Sequence, residues 1–136
     1  MKIVHREFHV NTRSRSEMVD VTGQVQAAVR DSGIRDGDAV VFCPHTTAAI
    51  TINENADPDV VHDILLALDE AVPRSDPRFR HAEGNSDAHT KSSLVGCSEQ
   101  VLVRDRGLVL GTWQALYFCE FDGPRSRRLI VQVRGE

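Results

Sequence analysis

The segment from Pro44 to Pro58 holds a high density of side chains that can do chemistry. Its polar residues are His45, Thr46, Thr47, Thr51, Asn53, Glu54, Asn55 and Asp57. A strand that only builds a core needs little polar chemistry, so we predict a small-molecule or metal site here. Glu54 can take a proton or hold a cation, and Asp63 in the following element can do the same.

Histidines are the second group of candidates, and four of the six lie in the middle of the chain: His45, His62, His81 and His89. Neutral imidazole is the commonest protein ligand for zinc and similar metals. The spacing contains no His-Glu-x-x-His or His-x-His motif, so any one of them can equally be an ordinary surface residue. His45 and His89 are the stronger candidates, because His45 opens the polar strand and His89 follows a tight turn.

A possible anion site follows His89 in the chain. Lys91, Ser92 and Ser93 offer one positive charge and two hydroxyls beside a predicted helix start, an arrangement that can hold phosphate. The segment lacks the Gly-x-x-x-x-Gly-Lys-Ser pattern of a nucleotide P-loop. Arg125 and its neighbours Arg127 and Arg128 can add positive charge, although they also suit the edge of a sheet.

The fourth group surrounds the single tryptophan. Trp113 shares a predicted strand face with Tyr117 and Phe121, which indicates a core or subunit contact. Thr112 and Gln114 point the other way and can line the pocket. No Gly-x-Ser-x-Gly elbow or Ser-His-Asp order stands out, so nucleophilic hydrolysis is not indicated.

These candidates need particular elements to position them. The segment from His45 to Asn53 has a period of two, which predicts a strand with Ala48, Ile50 and Ile52 facing the core. Its other face is polar but uncharged, which favours a cleft over open solvent. Asp57-Pro58 then begins a helix, because Asp can cap free N–H groups and Pro fits the first turn.

The remaining elements follow from periodicity and turn residues. We predict strands at 2–11 and 16–21, a helix from Thr22 closed by Gly33, a strand at 40–43, a helix from Pro58 to Pro73, a long loop at 74–88, a short helix at 87–95 and an antiparallel meander of strands at 100–104, 108–110, 113–121 and 127–133. This pattern indicates one α+β domain spanning 1–136. Its antiparallel or mixed sheet has about seven or eight strands, with two or three helices packed on it.

Composition limits the class of protein. The 136 residues carry a formal charge of −4 with no basic run, which argues against nucleic acid as a partner. No apolar stretch has the roughly 20 residues that cross a bilayer, and the first residues become charged too early for a secretory signal. Cys43, Cys97 and Cys119 are odd in number and far apart, which favours a reducing cytoplasm over a disulfide framework. Cys43 and Cys119 lie in apolar runs and are predicted to be core residues.

Taken together, these segments resemble the YjbQ family of small cytoplasmic proteins, which is associated with a secondary thiamine-phosphate synthase activity. The resemblance is carried, in order, by the segments 45–58 (HTTAAITINENADP), 81–85 (HAEGN), 89–96 (HTKSSLVG), 111–114 (GTWQ) and 120–125 (EFDGPR). They span nearly the whole chain.

The resemblance implies a YjbQ-like α+β fold, a homotrimer with sites near subunit boundaries, and a pocket that can hold a divalent metal. It implies metal ligands among His45, His89, His81 and His62. It implies a pocket around His45, Asn53, Glu54, His89 and Lys91. Glu54 and Lys91 are the expected catalytic residues there, and Asp63 joins them as the carboxylate one turn into the following helix. When the candidates identified from the residue types above are added, the expected substrate-binding residues are Asn53, Ser92, Ser93, Thr112, Gln114 and Arg125.

The implied reaction joins a pyrimidine-methyl diphosphate to a thiazole phosphate and releases pyrophosphate, which needs positive charge or a metal at the leaving group. A histidine-rich site favours zinc or a similar ion, whereas a diphosphate favours magnesium and oxygen ligands. The expected partner is therefore a small phosphorylated or heterocyclic metabolite. A trimer that binds a metabolite or metal without turnover is the alternative. A purely structural role, with the polar face of 45–53 in a protein interface, is a third.

Overall fold

The computed structural model describes all residues 1–136 and has an α+β fold of eight strands and three helices. The elements are β1 (Lys2–Asn11), β2 (Glu17–Asp20), α1 (Thr22–Ser32), β3 (Gly37–Phe42), β4 (Ala48–Glu54), α2 (Pro58–Ala71), α3 (Ser86–Val95), β5 (Ser98–Arg104), β6 (Gly107–Leu108), β7 (Gln114–Glu120) and β8 (Ser126–Gly135). The predicted fold class and number of strands are confirmed. None of the helices has the length and hydrophobicity needed to cross a membrane.

The strands form two antiparallel sheets rather than the single sheet that the sequence predicted. The larger has the order β1-β8-β3-β5-β6 and the smaller β2-β7-β4. The predicted C-terminal meander is therefore wrong, because β7 leaves the larger sheet and β8 returns to pair with β1 and β3. The physical reason lies in β7 itself, since every residue from Ala115 to Glu120 is buried and the strand needs a packed layer on both faces.

The main core fills the space between the sheets and beneath α1. Alternate residues of the central strands supply it, among them Val41, Ile50, Phe118 and Val131. On β1, Val10 is buried in this core, and half-buried Val4 and Phe8 on the same face pack against it. The helix α1 ends at Gly33, whose φ of 72° suits a residue without a Cβ.

A second, smaller core covers the outer face of the smaller sheet. Ala49 on β4 and Ala88 on α3 are both fully buried in it, and their small side chains let the helix approach the strand. Half-buried Val61 and Leu65 of α2 pack against the same cluster. The prediction that one face of residues 45–53 lines a cleft is therefore wrong at Ala49, which is buried under α3. His45 and Thr47 reach an open cleft before β4, whereas Thr51 and Asn53 line a separate small pocket walled by α2.

Local signals at the helix starts mostly agree with the sequence. Asp57 accepts the backbone N–H of Asp59 at 2.9 Å, and Pro58 occupies the first helical position, as predicted. Cys43 and Cys119 are buried as predicted. Tyr117 and Phe121 are buried, whereas Trp113 precedes β7 and is 61% exposed, so the core alternative is wrong for Trp113 and the subunit contact stays a prediction.

Candidate functional site

A polar cleft of about 450 Å³ opens where three segments of the chain meet. These are the residues leading into β4, the stretch from His81 to the first turn of α3, and the turn between β7 and β8. The cleft is lined by Pro44, His45, Thr46, Thr47, His81, Glu83, Asn85, His89, Asp122, Arg125 and Arg127. Every lining residue except Pro44 carries a polar side chain, so the cleft suits a charged or strongly polar ligand.

His45 is held in one tautomer by the neighbouring strand. Its Nε2 accepts the backbone N–H of Arg128 at 2.9 Å, and its ring lies edge-on to Phe118 at 6.3 Å between centroids. Burial lowers the pKa of His45, and the charges of Arg127 and Arg128 lower it further. The imidazole is therefore neutral at pH 7, with its proton on Nδ1.

His81 and His89 form an imidazole pair at the cleft. Their ring centroids are 5.5 Å apart and their planes are nearly perpendicular, at 86°. His89 sits in the first turn of α3, where its backbone N–H donates to the carbonyl of Asn85 at 3.3 Å. His81 lies on the preceding loop, with its Nε2 3.7 Å from a carboxylate oxygen of Glu83. Two rings in this arrangement can donate hydrogen bonds to a ligand or move a proton.

The two arginines at the cleft have different surroundings. Arg127 is buried, donates to Glu120 at 2.5 and 2.8 Å, and also donates to the hydroxyl of Thr47 at 2.8 Å. Burial alone would raise the pKa of Glu120, but the bonds from Arg127 outweigh it and lower that pKa. Arg125 is exposed, donates to Asp122 through Nε and Nη2, and has no partner on Nη1. Arg127 therefore holds the wall of the cleft together, and Arg125 is the arginine that can meet a ligand.

Seven of the residues singled out in the sequence come together at this cleft: His45, Thr46, Thr47, His81, His89, Arg125 and Arg127. His45 and His89, the two histidines that the sequence favours most, thus lie around one cavity. These residues come from three distant parts of the chain and are joined by the antiparallel return of β8 past His45.

The Lys-Ser-Ser segment lies elsewhere. Lys91 is 1% exposed and bonds to Asp69 at 2.5 Å and Asp87 at 3.1 Å. Ser92 donates to the carbonyl of Ala48 at 2.6 Å, and Ser93 is exposed. Lys91 and Ser92 lie on the buried side of α3. Only the first turn of this helix, which holds His89, reaches the cleft.

The residues expected at the end of β4 also lie apart from the cleft. Glu54 pairs with Gln114 at the far end of the strand, about 20 Å along the chain from Ala48. Asn53 accepts the backbone N–H of Glu54 at 2.8 Å, Gln114 accepts that of Gly111 at 2.8 Å, and Thr112 is exposed. An extended strand cannot bring both of its ends to one pocket.

His62 and Asp63 lie on the exposed side of α2. Their side chains are 72% and 75% exposed and bond to each other at 2.9 Å. They do not line the cleft, because the half-buried stripe of α2 containing Val61 and Leu65 faces the smaller sheet instead.

The residues of a single chain do not fit the three-histidine metal site that the resemblance implies. No three His, Cys, Asp or Glu side chains converge closely enough to hold an ion. The lone pair of His45 Nε2 already accepts the backbone N–H of Arg128. If His45 bound a metal through Nδ1, its proton would move to Nε2, and two N–H donors would then face each other. Only His81 and His89 remain close together.

Several cleft residues were not identified from the sequence. Glu83, Asn85 and Asp122 line the cleft but were not among the predicted site residues, although they lie in the segments 81–85 and 120–125 that carry the family resemblance. The available signal was the concentration of polar groups in Glu83-Gly84-Asn85 and in Asp122-Gly123. Turn-forming residues and ligand-binding residues are the same types, so composition alone does not separate them.

The amino-acid sequence of this chain matches a known protein family. The family described as UPF0047 protein YjbQ-like matches residues 6–136. The protein YugU of Bacillus subtilis is 51% identical over 130 residues, covering 96% of this chain and 98% of its own. A UPF0047 protein of Methanocaldococcus jannaschii is 50% identical, covering 96% of this chain and 94% of its own.

Solved structures give the same result for the fold. The crystal structure of an uncharacterised conserved YjbQ/UPF0047 protein from Clostridium acetobutylicum has a TM-score of 0.93 and 52% identity, and covers 95% of this chain and 99% of that one. A YbjQ-like protein of unknown function from Sulfolobus solfataricus P2 has a TM-score of 0.95 at 36% identity, with 99% of both chains covered.

Proposed function

This chain belongs to the UPF0047 protein YjbQ-like family, and we propose that its polar cleft binds a small phosphorylated metabolite and supports group transfer on it. One observation carries this proposal: His45, His81, His89 and Arg125 line a single cleft of about 450 Å³ in which Pro44 is the only lining residue without a polar side chain. A ligand that fits such a cleft must gain its affinity from charge and hydrogen bonds.

The donors at the cleft suit a phosphate group. Arg125 presents a planar guanidinium whose Nη1 is free of protein partners, and guanidinium geometry matches phosphate oxygens. The rings of His81 and His89 can add further donors. The positive end of α3 points to the same edge, since this helix begins at Ser86 beside the cleft.

The reaction that we propose is of the thiamine-phosphate synthase type. The thiazole nitrogen attacks the methylene carbon of the pyrimidine substrate, a C–N bond forms, the C–O bond to the diphosphate breaks, and pyrophosphate leaves. In the cleft, Arg125 stabilises the charge of the departing pyrophosphate, and the His81–His89 pair donates hydrogen bonds or a proton to its oxygens. No step requires Lys91, Glu54 or Asp63.

The test is formation of thiamine phosphate from the two precursors by wild type, His89→Ala and His62→Ala. His89→Ala is expected to lose about 100-fold or more in rate, the usual scale for removing a group that transfers a proton. His62→Ala is the matched control, since that ring is exposed and away from the cleft. Equal rates in all three proteins would remove the proposed role of the cleft in this reaction.

A non-catalytic metabolite-binding role is the second candidate. The observation that favours it is that Glu54, Lys91 and Asp63, the expected catalytic groups, all lie outside the cleft. In that case a phosphorylated metabolite binds with the same dependence on Arg125 and is recovered chemically unchanged after hours. Elemental analysis of the purified protein then tests whether a metal accompanies it.

We also propose that the chain assembles as a homotrimer. The support is the exposure of large hydrophobic side chains, including Trp113 at 61%, Leu94 at 64% and Leu66 at 49%. Helix α2 has no fully buried residue, so one side of the smaller core is thinly covered. Sedimentation equilibrium is expected to give three times the 15.1 kDa chain mass. A monomer at micromolar concentration would contradict this assembly.

A further inference from the structure

Asn85 carries a buried amide oxygen that has no hydrogen-bond partner in the protein. The residue is 6% exposed, lines the polar cleft and precedes the first residue of α3. Its Nδ2 donates to Oδ2 of Asp122 at 2.8 Å, but its Oδ1 is buried without a donor. Native proteins rarely leave buried polar atoms unpaired, so such an atom beside a cleft calls for an explanation.

The orientation of this amide is fixed by its neighbour. Asp122 accepts from Asn85 and, at 3.0 Å, from Nη2 of Arg125. Burial by itself raises the pKa of Asp122, but the hydrogen bonds from Asn85 and Arg125 outweigh it and lower that pKa. The carboxylate is therefore ionised at neutral pH. Turning the amide over would place its oxygen against this carboxylate, so Oδ1 has to face away from Asp122.

The side chain of Asn85 does not cap the helix, although capping is the usual role of an asparagine just before a helix. An Asn before the first turn of a helix normally accepts a backbone N–H through its side chain. Here there is no such bond, and only the backbone carbonyl of Asn85 accepts, from Ala88 at 3.0 Å and His89 at 3.3 Å. The amide is directed to Asp122 instead, which leaves Oδ1 as a buried acceptor without a donor in the wall of the cleft.

We infer that Oδ1 of Asn85 is a specificity-determining acceptor that meets an uncharged N–H or O–H donor of the bound ligand. The inference rests on the proposed phosphate-binding function and narrows its substrate class. The ligand carries a phosphate group for Arg125 and the histidines, and also a hydroxyl or amino group that pairs with Asn85. A phosphate ester without a donor leaves this oxygen unpaired on binding and is therefore disfavoured.

The test uses inorganic phosphate and two matched pairs of esters, with binding measured by calorimetry on the full chain. The first pair is glycerol 3-phosphate and propyl phosphate, and the second is 4-aminobenzyl phosphate and 4-methylbenzyl phosphate. In wild type, the donor-bearing member of at least one pair is expected to bind about tenfold or more tightly than its partner. This is the scale on which sites with polar groups reject ligands that leave them unpaired.

Two variants remove the acceptor in different ways. Asn85→Thr shortens the side chain, so that no atom stands at the position of Oδ1 and a hydroxyl remains one bond nearer the backbone, whereas Asn85→Leu keeps the shape of asparagine and replaces both polar atoms by methyl groups. Both are expected to lose the preference for the donor-bearing ester while still binding inorganic phosphate. Asn55→Leu is the control, since Asn55 is exposed just beyond the far end of β4, and it is expected to keep the preference.

Two results overturn the inference while leaving the proposed function standing. In one, inorganic phosphate binds wild type but neither pair shows a preference, as expected if a water molecule satisfies Oδ1. In the other, the preference persists in both Asn85 variants. Failure of inorganic phosphate to bind wild type at all overturns the proposed function and this inference with it.

Discussion

At the residue scale, side chains of the same type have different roles because their neighbours differ. His45 and His62 are both histidines of the central segments, yet one ring accepts a backbone N–H at the cleft and the other bonds to Asp63 in solvent. Arg125 and Arg127 differ in the same way. The sequence identifies these residue types as candidates, but which of them is free to meet a ligand depends on partners that are distant in the chain.

His45 should make the protein sensitive to mild acid. Its folded pKa lies below the ordinary value of 6.5, so the unfolded chain binds more protons as the pH falls. The stability that neutral His45 contributes is thus fully present above pH 6.5 and is lost as the pH falls below that value. His45→Gln keeps an acceptor for the Arg128 N–H but cannot be protonated.

Thermal melts between pH 8 and pH 5 measure this effect. The difference in Tm between wild type and His45→Gln is expected to move in favour of the variant as the pH falls. His62→Gln, which changes an exposed ring, is expected to follow wild type. If the His45→Gln difference stays constant across the range, His45 is not the acid-sensitive group.

The three cysteine thiols should differ in reactivity, because two are buried and one is exposed. Burial raises the pKa of Cys43 to about 11 and that of Cys119 to about 12, whereas Cys97 is exposed. Because the thiolate is the reactive form, a thiol reagent at pH 8 is expected to modify one cysteine quickly in the folded protein and all three in urea. Rapid modification of a second cysteine without denaturant would show that the core opens more readily than its packing indicates.

At the element scale, helix α3 joins the cleft to the core. Its first turn presents His89 to the cleft, while Lys91 and Ser92 anchor its buried side to the chain beneath. Asp87 is fully buried and receives a bidentate pair of bonds from Arg15 at 3.0 and 3.1 Å, besides the bond from Lys91. Although burial alone would raise the pKa of Asp87, the bonds from Arg15 and Lys91 lower it, so the network is ionised.

Lys91→Met is therefore expected to act mainly on stability. The substitution removes one of the two cations that bond to buried Asp87, and because Arg15 remains, the expected loss is that of a charged hydrogen bond, about 1.5–3 kcal/mol in the free energy of unfolding. Arg80→Met is the matched control, because Arg80 is exposed, and a change of less than about 0.5 kcal/mol is expected there. Urea unfolding measures both. A Lys91→Met protein as stable as wild type would mean that α3 is anchored without this network.

The sequence predicts elements better than it predicts their partners. Strand β1 and helix α1 are identified at nearly their true bounds, because alternation and a closing glycine are local signals. The placement of Lys91 was not predictable, since a lysine next to two serines looks like an exposed anion site unless Asp69 and Asp87 are known to meet it. Likewise, Ala49 and Ala88 give no periodic signal strong enough to show that α3 covers β4.

At the scale of the whole molecule, strand β7 links the two cores. Leu116 and Phe118 belong to the core between the sheets, whereas Tyr117 and Cys119 belong to the core beneath α2 and α3. The alternating directions of side chains along one strand thus tie both layers together. We expect the two layers to unfold as one cooperative unit.

Substitutions in either core test this coupling. Ile50→Ala removes packing from the first core and Phe121→Ala from the second, and each is expected to lower the free energy of unfolding by about 2–5 kcal/mol. In both variants the transitions followed by far-UV and near-UV circular dichroism should coincide. Ile3→Ala, at a position that is 56% exposed, is the control. Separate transitions in the Phe121→Ala protein would show that the second core is an independent layer.

The most direct test of the polar cleft as the ligand site is a titration with inorganic phosphate, observed by NMR of the histidine ring carbons. The rings of His45, His81 and His89 lie at the cleft, while His5 on β1 and His62 on α2 are exposed elsewhere and serve as internal controls. We predict saturable shifts with one common Kd for the three cleft histidines, with His5 and His62 unchanged. Shifts of equal size at His5 and His62, or no saturable shift at any cleft histidine, would contradict the account.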